Sequence, residues 1–367
     1  MRDLRGVKDR LSMRTLRGVV GLGVAAAVTW LGGCGSAPPP APEAPAAPRA
    51  AGSPAPAAGD VLARSDRFVI YLPRPDDTLR AIAARFLGAE ENAWMIGDFN
   101  GVSRPEPGQA LVVPLQPLNR SGVQADHYQT VPILCYHRFG SGASGGMASG
   151  NKMIVSAPNF AAQLEWLAKN DYHVLRLSQL SDYLNGKRAL PKKSVVITID
   201  DGYESVHRHA LPLLRKYRFP ATLFVYSDFI GAGDALSWPQ LQELASSGLV
   251  DIQAHSKTHR NLIERPAGET DERYRQMLEA EARVPRELLE KRLPIQVRHY
   301  AYPYGDANDA VLEALTRQHY QIGVTVNPGG NAFFAQPFML RRTMIFGDHD
   351  LETFKAKLQI SRGFSAP

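Results

Sequence analysis

Cysteine is nearly absent from this chain, with two in 367 residues, so a disulfide scaffold and a cysteine-rich zinc module are both excluded. Long apolar runs are missing too. The run from Val19 to Leu31 is too short to span a bilayer comfortably. What is present is ample core material: 44% of residues are hydrophobic, which excludes wholesale disorder. The length exceeds one ordinary domain and points to a large domain plus something smaller. A net charge of +6 and a pI near 9.3 would suit an anionic partner such as nucleic acid, unless the excess sits in one place.

It does sit in one place. Arg2, Arg5, Lys8, Arg10, Arg14 and Arg17 oppose only Asp3 and Asp9, so six minus two leaves +4 in residues 1–33 and +2 in the remainder. This basic stretch leads into the apolar run, which ends at Leu31-Gly32-Gly33-Cys34. A basic leader, a short apolar core and small residues before a cysteine resemble a bacterial lipobox. The resemblance implies that 1–33 is a cleaved signal peptide and Cys34 a lipidated N-terminus. Met13 could serve as the start, since Met13-Arg14-Thr15-Leu16-Arg17 is already a basic leader. Residues 34–66 are then the lipidated cysteine and an Ala/Pro-rich spacer of polyproline II character. Gly35 and Ser36 follow Cys34 without an adjacent Asp, which resembles the outer-membrane default and predicts an envelope lipoprotein facing the periplasm. With the leader removed the chain is near neutral, so nucleic acid is not an expected partner.

Residues 67–115 read as a small module. Phe68-Val69-Ile70-Tyr71 is a strand, and Asp76 or Asp77 caps a helix whose buried face is Leu79, Ile82, Ala83 and Phe86. A second helix covers Glu91 to Phe99, and Pro107-Gly108-Gln109 turns into the strand Leu111-Val112-Val113-Pro114. This βααβ order, with Asp77-Thr78-Leu79, Asn100 and the Pro-Gly-Gln tail, resembles a LysM domain. The resemblance implies binding of N-acetylglucosamine-containing glycan, peptidoglycan included.

After a linker over 116–129, residues 130–367 alternate short apolar strands with helical stretches. Strands are expected at Val131–Tyr136, Ser194–Ile199, Ala221–Tyr226, Val250–Ala254, Val297–Ala301 and Gln321–Val324. The helices between them predict parallel βαβ units. Seven or so units in about 240 residues favour a barrel, whose chemistry belongs at the C-terminal strand ends. His137, Asp200-Asp201, His255 and Tyr302-Pro303-Tyr304-Gly305 sit there.

Asp200 and Asp201 directly follow five strand residues, where two carboxylates are costly unless a cation or donors receive them. Adjacent side chains diverge, so the two acids should do different jobs. His255 and His259 are spaced i, i+4, which on a helical turn points both imidazoles to one side at chelating distance. Ser256 stands where a metalloprotease motif has its Glu, so the base must come from elsewhere. One Asp and two His with open positions suit zinc or a similar divalent metal.

Ile197-Thr198-Ile199-Asp200-Asp201-Gly202-Tyr203, Pro220-Ala221-Thr222-Leu223-Phe224-Val225, His255-Ser256-x-x-His259 and Ala301-Tyr302-Pro303-Tyr304-Gly305 together resemble the ordered motifs of NodB-type polysaccharide deacetylases. The opening Val131-Pro132-Ile133-Leu134-Cys135-Tyr136-His137-Arg138 and the Tyr302-Pro303-Tyr304-Gly305 form most resemble the poly-N-acetylglucosamine deacetylase branch. The resemblance implies an α/β fold with a distorted (β/α) barrel and removal of N-acetyl groups from glycans with a divalent metal: zinc, or else cobalt, nickel or iron. By position, Asp200 is the general base and Asp201, His255 and His259 the metal ligands. Tyr304 and Gly305 lie in the substrate wall, with the Tyr304 backbone N–H as oxyanion donor.

Two departures stand out. Ala301 occupies the place of the arginine that commonly orients the base, and Arg341 or Arg342 could replace it. The late motif that supplies a catalytic acid is not evident; His349 is a weak substitute, and Asp200 could itself return the proton. His137, Tyr302 and Trp238 are further candidates for the substrate wall, although Trp238 suits a core or helix-start role equally. Cys135 reads as a buried thiol and Asp271–Arg292 as a solvated helix. The expected activity is hydrolysis of N-acetyl groups on N-acetylglucosamine polymers of the exopolysaccharide type. Peptidoglycan deacetylation is the alternative, and a non-catalytic glycan-binding lipoprotein is a third reading. A glycosidase is disfavoured, because sequence-adjacent acids are poorly placed to flank a glycosidic bond.

Overall fold

The computed structural model describes residues 57–141 and 150–364. The leader, Cys34 and most of the Ala/Pro spacer lie outside the described residues. Among the described residues no helix is long and apolar enough to cross a membrane.

In the small domain, β1 (Val61–Arg64), β2 (Phe68–Tyr71) and β3 (Leu111–Pro114) form an antiparallel sheet in that order. Helices α1 (Leu79–Leu87) and α2 (Ala93–Asn100) lie between β2 and β3. Leu79, Ile82 and Ala83 bury against Val69, Tyr71, Ile96, Leu111 and Val113. The expected βααβ order is therefore present, with β1 added at the edge.

Neither Asp76 nor Asp77 caps α1. Thr78 does, its Oγ1 accepting from Ala81 N at 3.1 Å. The Asp77 carboxylate is already engaged, accepting from Tyr71 OH at 2.6 Å and Arg74 N at 2.8 Å. Asn100 is a clamp between helix and sheet. Its Nδ2 donates to Ile96 O and Val112 O, and its Oδ1 accepts from Val112 N.

The large domain begins with β4 (His127–Gln129), β5 (Val131–Tyr136), β6 (Arg138–Gly140) and β7 (Ile154–Ser156). Then come α3 (Ala157–Lys169), β8 (His173–Leu175), α4 (Leu177–Leu184), β9 (Ser194–Ile199) and α5 (Leu211–Tyr217). The pattern continues with β10 (Ala221–Val225), α6 (Trp238–Ser246), β11 (Val250–Ala254), α7 (Asp271–Arg292), β12 (His299–Ala301), α8 (Asp309–Arg317) and β13 (Ile322–Val324). Last are β14 (Gly330–Asn331), β15 (Thr343–Met344), α9 (Leu351–Ala356) and β16 (Ser361–Gly363).

The spatial order β13-β12-β11-β10-β9-β5 is parallel throughout. The circuit is closed by a short segment. Leu340 bridges Val324 in parallel, and three residues later β15 pairs with β5 at Leu134 and Cys135. This is the distorted barrel expected from the alternating pattern.

Strand alternation sorts the side chains into two layers. Leu134, Val195, Ile197, Leu223 and Ile252 face the surrounding helices. Ile133, Val196, Phe224, Ala301 and Val324 face the lumen. The inward positions also bury Thr198, Thr222, Gln253 and His299, so the lumen carries polar groups along its length.

All six parallel strands point their C-terminal ends one way, and His137, Asp200, Asp201, His255 and Tyr302 follow those ends. The small domain meets the opposite end, where Asp98 accepts from Lys192 N at 3.1 Å just ahead of β9.

Candidate active site

The C-terminal end of the barrel opens into a cavity of about 460 Å³ lined by His137, Asp200, Asp201, His255, His259, Tyr302 and Tyr304. Backbone conformation brings these groups together. Seven non-glycine residues among those described have positive φ, and four are here: Asp201 (74°), Ser256 (72°), His259 (61°) and Tyr304 (62°). Each such position costs of order 1–3 kcal/mol and persists only where surrounding structure enforces it.

The enforcement is visible at the histidine segment, which is an irregular loop and not the expected helical turn. Left-handed Ser256 and His259 are incompatible with a helix, and Ser256 Oγ accepts from His259 N at 2.9 Å. Glu281 holds the loop from α7. Its carboxylate accepts from Lys257 N at 2.8 Å, Thr258 N at 3.0 Å and Thr258 Oγ1 at 2.7 Å. Reading Asp271–Arg292 as a purely solvated helix is thereby corrected, because Tyr274, Leu278, Glu281, Ala282, Pro285 and Leu289 form a buried face.

Asp201 Oδ1 lies 3.4 Å from His255 Nε2 and 3.3 Å from His259 Nε2. This oxygen is buried and has no hydrogen-bond partner among the described residues. His255 Nδ1 is 2.8 Å from Ala301 O, which places the proton on Nδ1 and turns Nε2 toward Asp201. An orphaned buried carboxylate oxygen facing two imidazole nitrogens fits a divalent cation. Burial alone would raise the Asp201 carboxyl, but the two imidazoles, His255 first, bring it well below the ordinary carboxylate range.

Asp200 has a different partner. Arg342 donates Nη1 to Oδ1 and Nη2 to Oδ2, both at 2.7 Å. The same guanidinium donates Nε to Thr325 O at 2.8 Å and Nη1 to Thr198 Oγ1 at 3.2 Å. Asp200 is 2% exposed and Arg342 fully buried. Burial pushes the Asp200 carboxyl up, but Arg342, and after it His255, more than offset this and keep it an anion. Of the two arginines left open by the sequence, only Arg342 reaches Asp200. Arg341, its neighbour on the closing segment, points out to solvent.

Cys135 is buried as expected, with its thiol 3.5 Å from Asp200 Oδ2. Cys135, His137 and Asp200 make a second group of metal-competent atoms. Because Arg342 already neutralises Asp200, the Asp201, His255 and His259 set fits a cation better than this second group does.

His137 lines the cavity with its Nδ1 buried and unpartnered among the described residues. Burial lowers its pKa, with Asp200 and Asp201 opposing. Tyr304 is 62% exposed and packs edge-to-face with His259, the ring centroids 5.2 Å apart. A Cβ on Gly305 would collide with Val326, so the turn beneath Tyr304 requires glycine. Tyr302 is buried and donates its hydroxyl to Phe338 O at 2.8 Å, so it supports the wall from behind.

Two candidates lie elsewhere. Trp238 opens α6 and stacks beneath Arg292, the helix-start role. His349 Nδ1 accepts from Phe346 N at 3.2 Å, and its ring, packed on Phe346, does not line the cavity. Sequence reasoning overlooked Arg138, Asn151, Met153, Tyr203 and Met344 in the lining. Arg138 caps the Tyr203 ring at 3.6 Å and pairs with Asp234 at 2.9 Å. Its place after β5, at the end of the opening motif, was the available signal.

Residues 187–323 match the polysaccharide deacetylase family. The chain is 28% identical over 211 residues to the poly-beta-1,6-N-acetyl-D-glucosamine N-deacetylase of Staphylococcus epidermidis, covering 55% of this chain and 73% of that protein. Among solved structures it is similar to the deacetylase PplD of Streptococcus pyogenes in complex with acetate (TM-score 0.56, 25% identity, 62% of this chain and 98% of that one). It is also similar to IcaB from Ammonifex degensii (TM-score 0.55, 28% identity, 63% and 97%).

Proposed function

Because the chain is a polysaccharide deacetylase, we propose that it hydrolyses N-acetyl groups on N-acetylglucosamine residues of an exopolysaccharide of the poly-N-acetylglucosamine type, using a divalent metal. The observation that carries this reading is the division of labour between adjacent acids: Asp201 Oδ1 unpartnered between two imidazoles, Asp200 clamped by Arg342. Asp201, His255 and His259 would hold the ion, zinc by its ligand types, with cobalt, nickel or iron as substitutes. Such an ion polarises the amide carbonyl and acidifies water.

The chain's own residues supply the rest. Asp200, anionic and fixed in orientation, takes a proton from the attacking water. The Tyr304 N–H donates to the carbonyl oxygen as negative charge develops on it. Asp200 can then return its proton to the departing sugar amine, so no contribution from His349 is required. His137, Tyr304 and Gly305 form the wall against which the sugar rests.

The small domain would hold glycan in the cleft between Asp77-Thr78-Leu79 and Ser103–Pro107. Cys34 would anchor the protein in the outer membrane, facing the periplasm. The LysM-like fold favours a second reading, deacetylation of peptidoglycan.

Acetate release from both polymers tests these readings. Metal-dependent release from poly-N-acetylglucosamine, lost in Asp200→Asn by about 10²–10⁴-fold, is expected. Release from peptidoglycan alone selects the second reading, and no metal-dependent release from either polymer overturns the enzymatic one.

A further inference from the structure

A second groove, of about 360 Å³, lies at the barrel end opposite the active site. It runs beside β14, which pairs with Val131 and Pro132 at the start of β5, and beside the β4–β16 ribbon. The six residues of β5 separate it from the His137 end by roughly 20 Å.

Its lining is chemically one-sided. Arg341 and Arg362 both face it, both are exposed, and neither forms an ion pair or a side-chain hydrogen bond among the described residues. No Asp or Glu contributes to the lining. Phe334, 65% exposed, is the most exposed of the large hydrophobic residues among those described. Tyr128 joins it to Phe364, 49% exposed, with ring centroids 5.2 and 5.3 Å apart. The floor is built for close approach. A Cβ on Gly330 would come within 2.6 Å of Thr130 Cβ and 3.0 Å of Gln359 O.

Two unpaired guanidiniums suit a planar anion, and exposed rings suit the apolar face of a sugar. From this pairing we infer that the groove is an exosite for a carboxylate-bearing glycan, of which peptidoglycan carrying its stem peptides is the source. A deacetylated glucosamine polymer is cationic and is repelled here, so the exosite does not retain the product of the active site. The exosite is independent of the catalytic reading and of the small domain's cleft.

The test uses the full chain carrying Asp200→Asn, so that no probe is turned over. The probes are solubilised peptidoglycan strands, the same strands with amidated carboxyls, neutral N-acetylglucosamine oligomers and phosphatidylglycerol vesicles, each titrated calorimetrically. Arg341→Gln/Arg362→Gln is expected to weaken the carboxylated strands about tenfold and to leave the amidated strands and neutral oligomers unchanged. Phe334→Ala is expected to weaken both kinds of strand, and added salt to weaken only the carboxylated ones. In the otherwise unaltered chain, which keeps Asp200, acetate release from short neutral oligomers should not respond to the arginine changes. Unchanged binding of carboxylated strands by the double variant overturns the proposal. So does loss of vesicle binding with strand binding intact, which would make the occupant a lipid surface. Neither result touches the catalytic reading, which fails only if acetate release fails.

Discussion

The two ends of the barrel use the same unusual backbone conformation for different purposes. At the catalytic end, left-handed Asp201, Ser256, His259 and Tyr304 aim side chains into one cavity. At the other end the remaining three, Asp171, Arg218 and His319, fall just after helices α3, α5 and α8 and turn the chain into the next strand. Glycine is the ordinary residue for such a stop, because it lacks the Cβ that makes the conformation costly. The comparison teaches that positive φ marks a site only where its side chains converge and where partners such as Glu281 fix the loop.

The largest expected effect tests the charge at the catalytic end. Arg342→Met should destabilise the fold by about 3–5 kcal/mol, since it strands a buried carboxylate. Adding Asp200→Asn should recover much of that loss in chemical denaturation. If the single variant is as stable as the parent, the ion pair does not hold the catalytic end together.

The next effect lies in the lumen toward the other end. Burial takes the His299 pKa from 6.5 down to about 4. The unfolded chain therefore binds more protons than the folded one between these values. This stability is fully present above pH 6.5 and is lost as pH falls toward 4, amounting to a few kcal/mol. His299→Leu should flatten that limb of the denaturation profile. A profile that falls as steeply in the variant assigns acid sensitivity elsewhere.

The smallest effect sharpens the comparison directly. Arg218→Gly should leave stability unchanged or raise it by up to about 1 kcal/mol, with acetate release intact. Ser256→Gly relieves the same kind of strain but removes the hydroxyl that accepts from His259 N, so it should lower acetate release and metal content. If both variants behave alike, the distinction between the two ends is unfounded.

Much of this was legible in the sequence for a local reason. Asp200, Asp201, His255 and His259 lie directly after apolar strands, so the topology that brings strand ends together also brings them together. Parallel order followed from the helices between strands. What escaped depended on long-range detail. Choosing between Arg341 and Arg342 requires knowing which face of the closing segment turns inward. Glu281 was hidden in a helix whose charges otherwise suit solvent. The three-residue β8 and the short α4 gave too little pattern to detect, and Thr78 was passed over because Asp77, the more obvious cap, is occupied by Tyr71 and Arg74.

The segment that closes the barrel also carries the arginine that neutralises Asp200, the proposed general base. Without the Leu340–Val324 bridge and the β15–β5 pairing, Asp200 would lack its principal counter-charge and the sheet would have an open seam. Closure and competence are therefore one event. On the proposed role of Asp200, a chain nicked ahead of this segment is expected to lose acetate release together with the closing contacts.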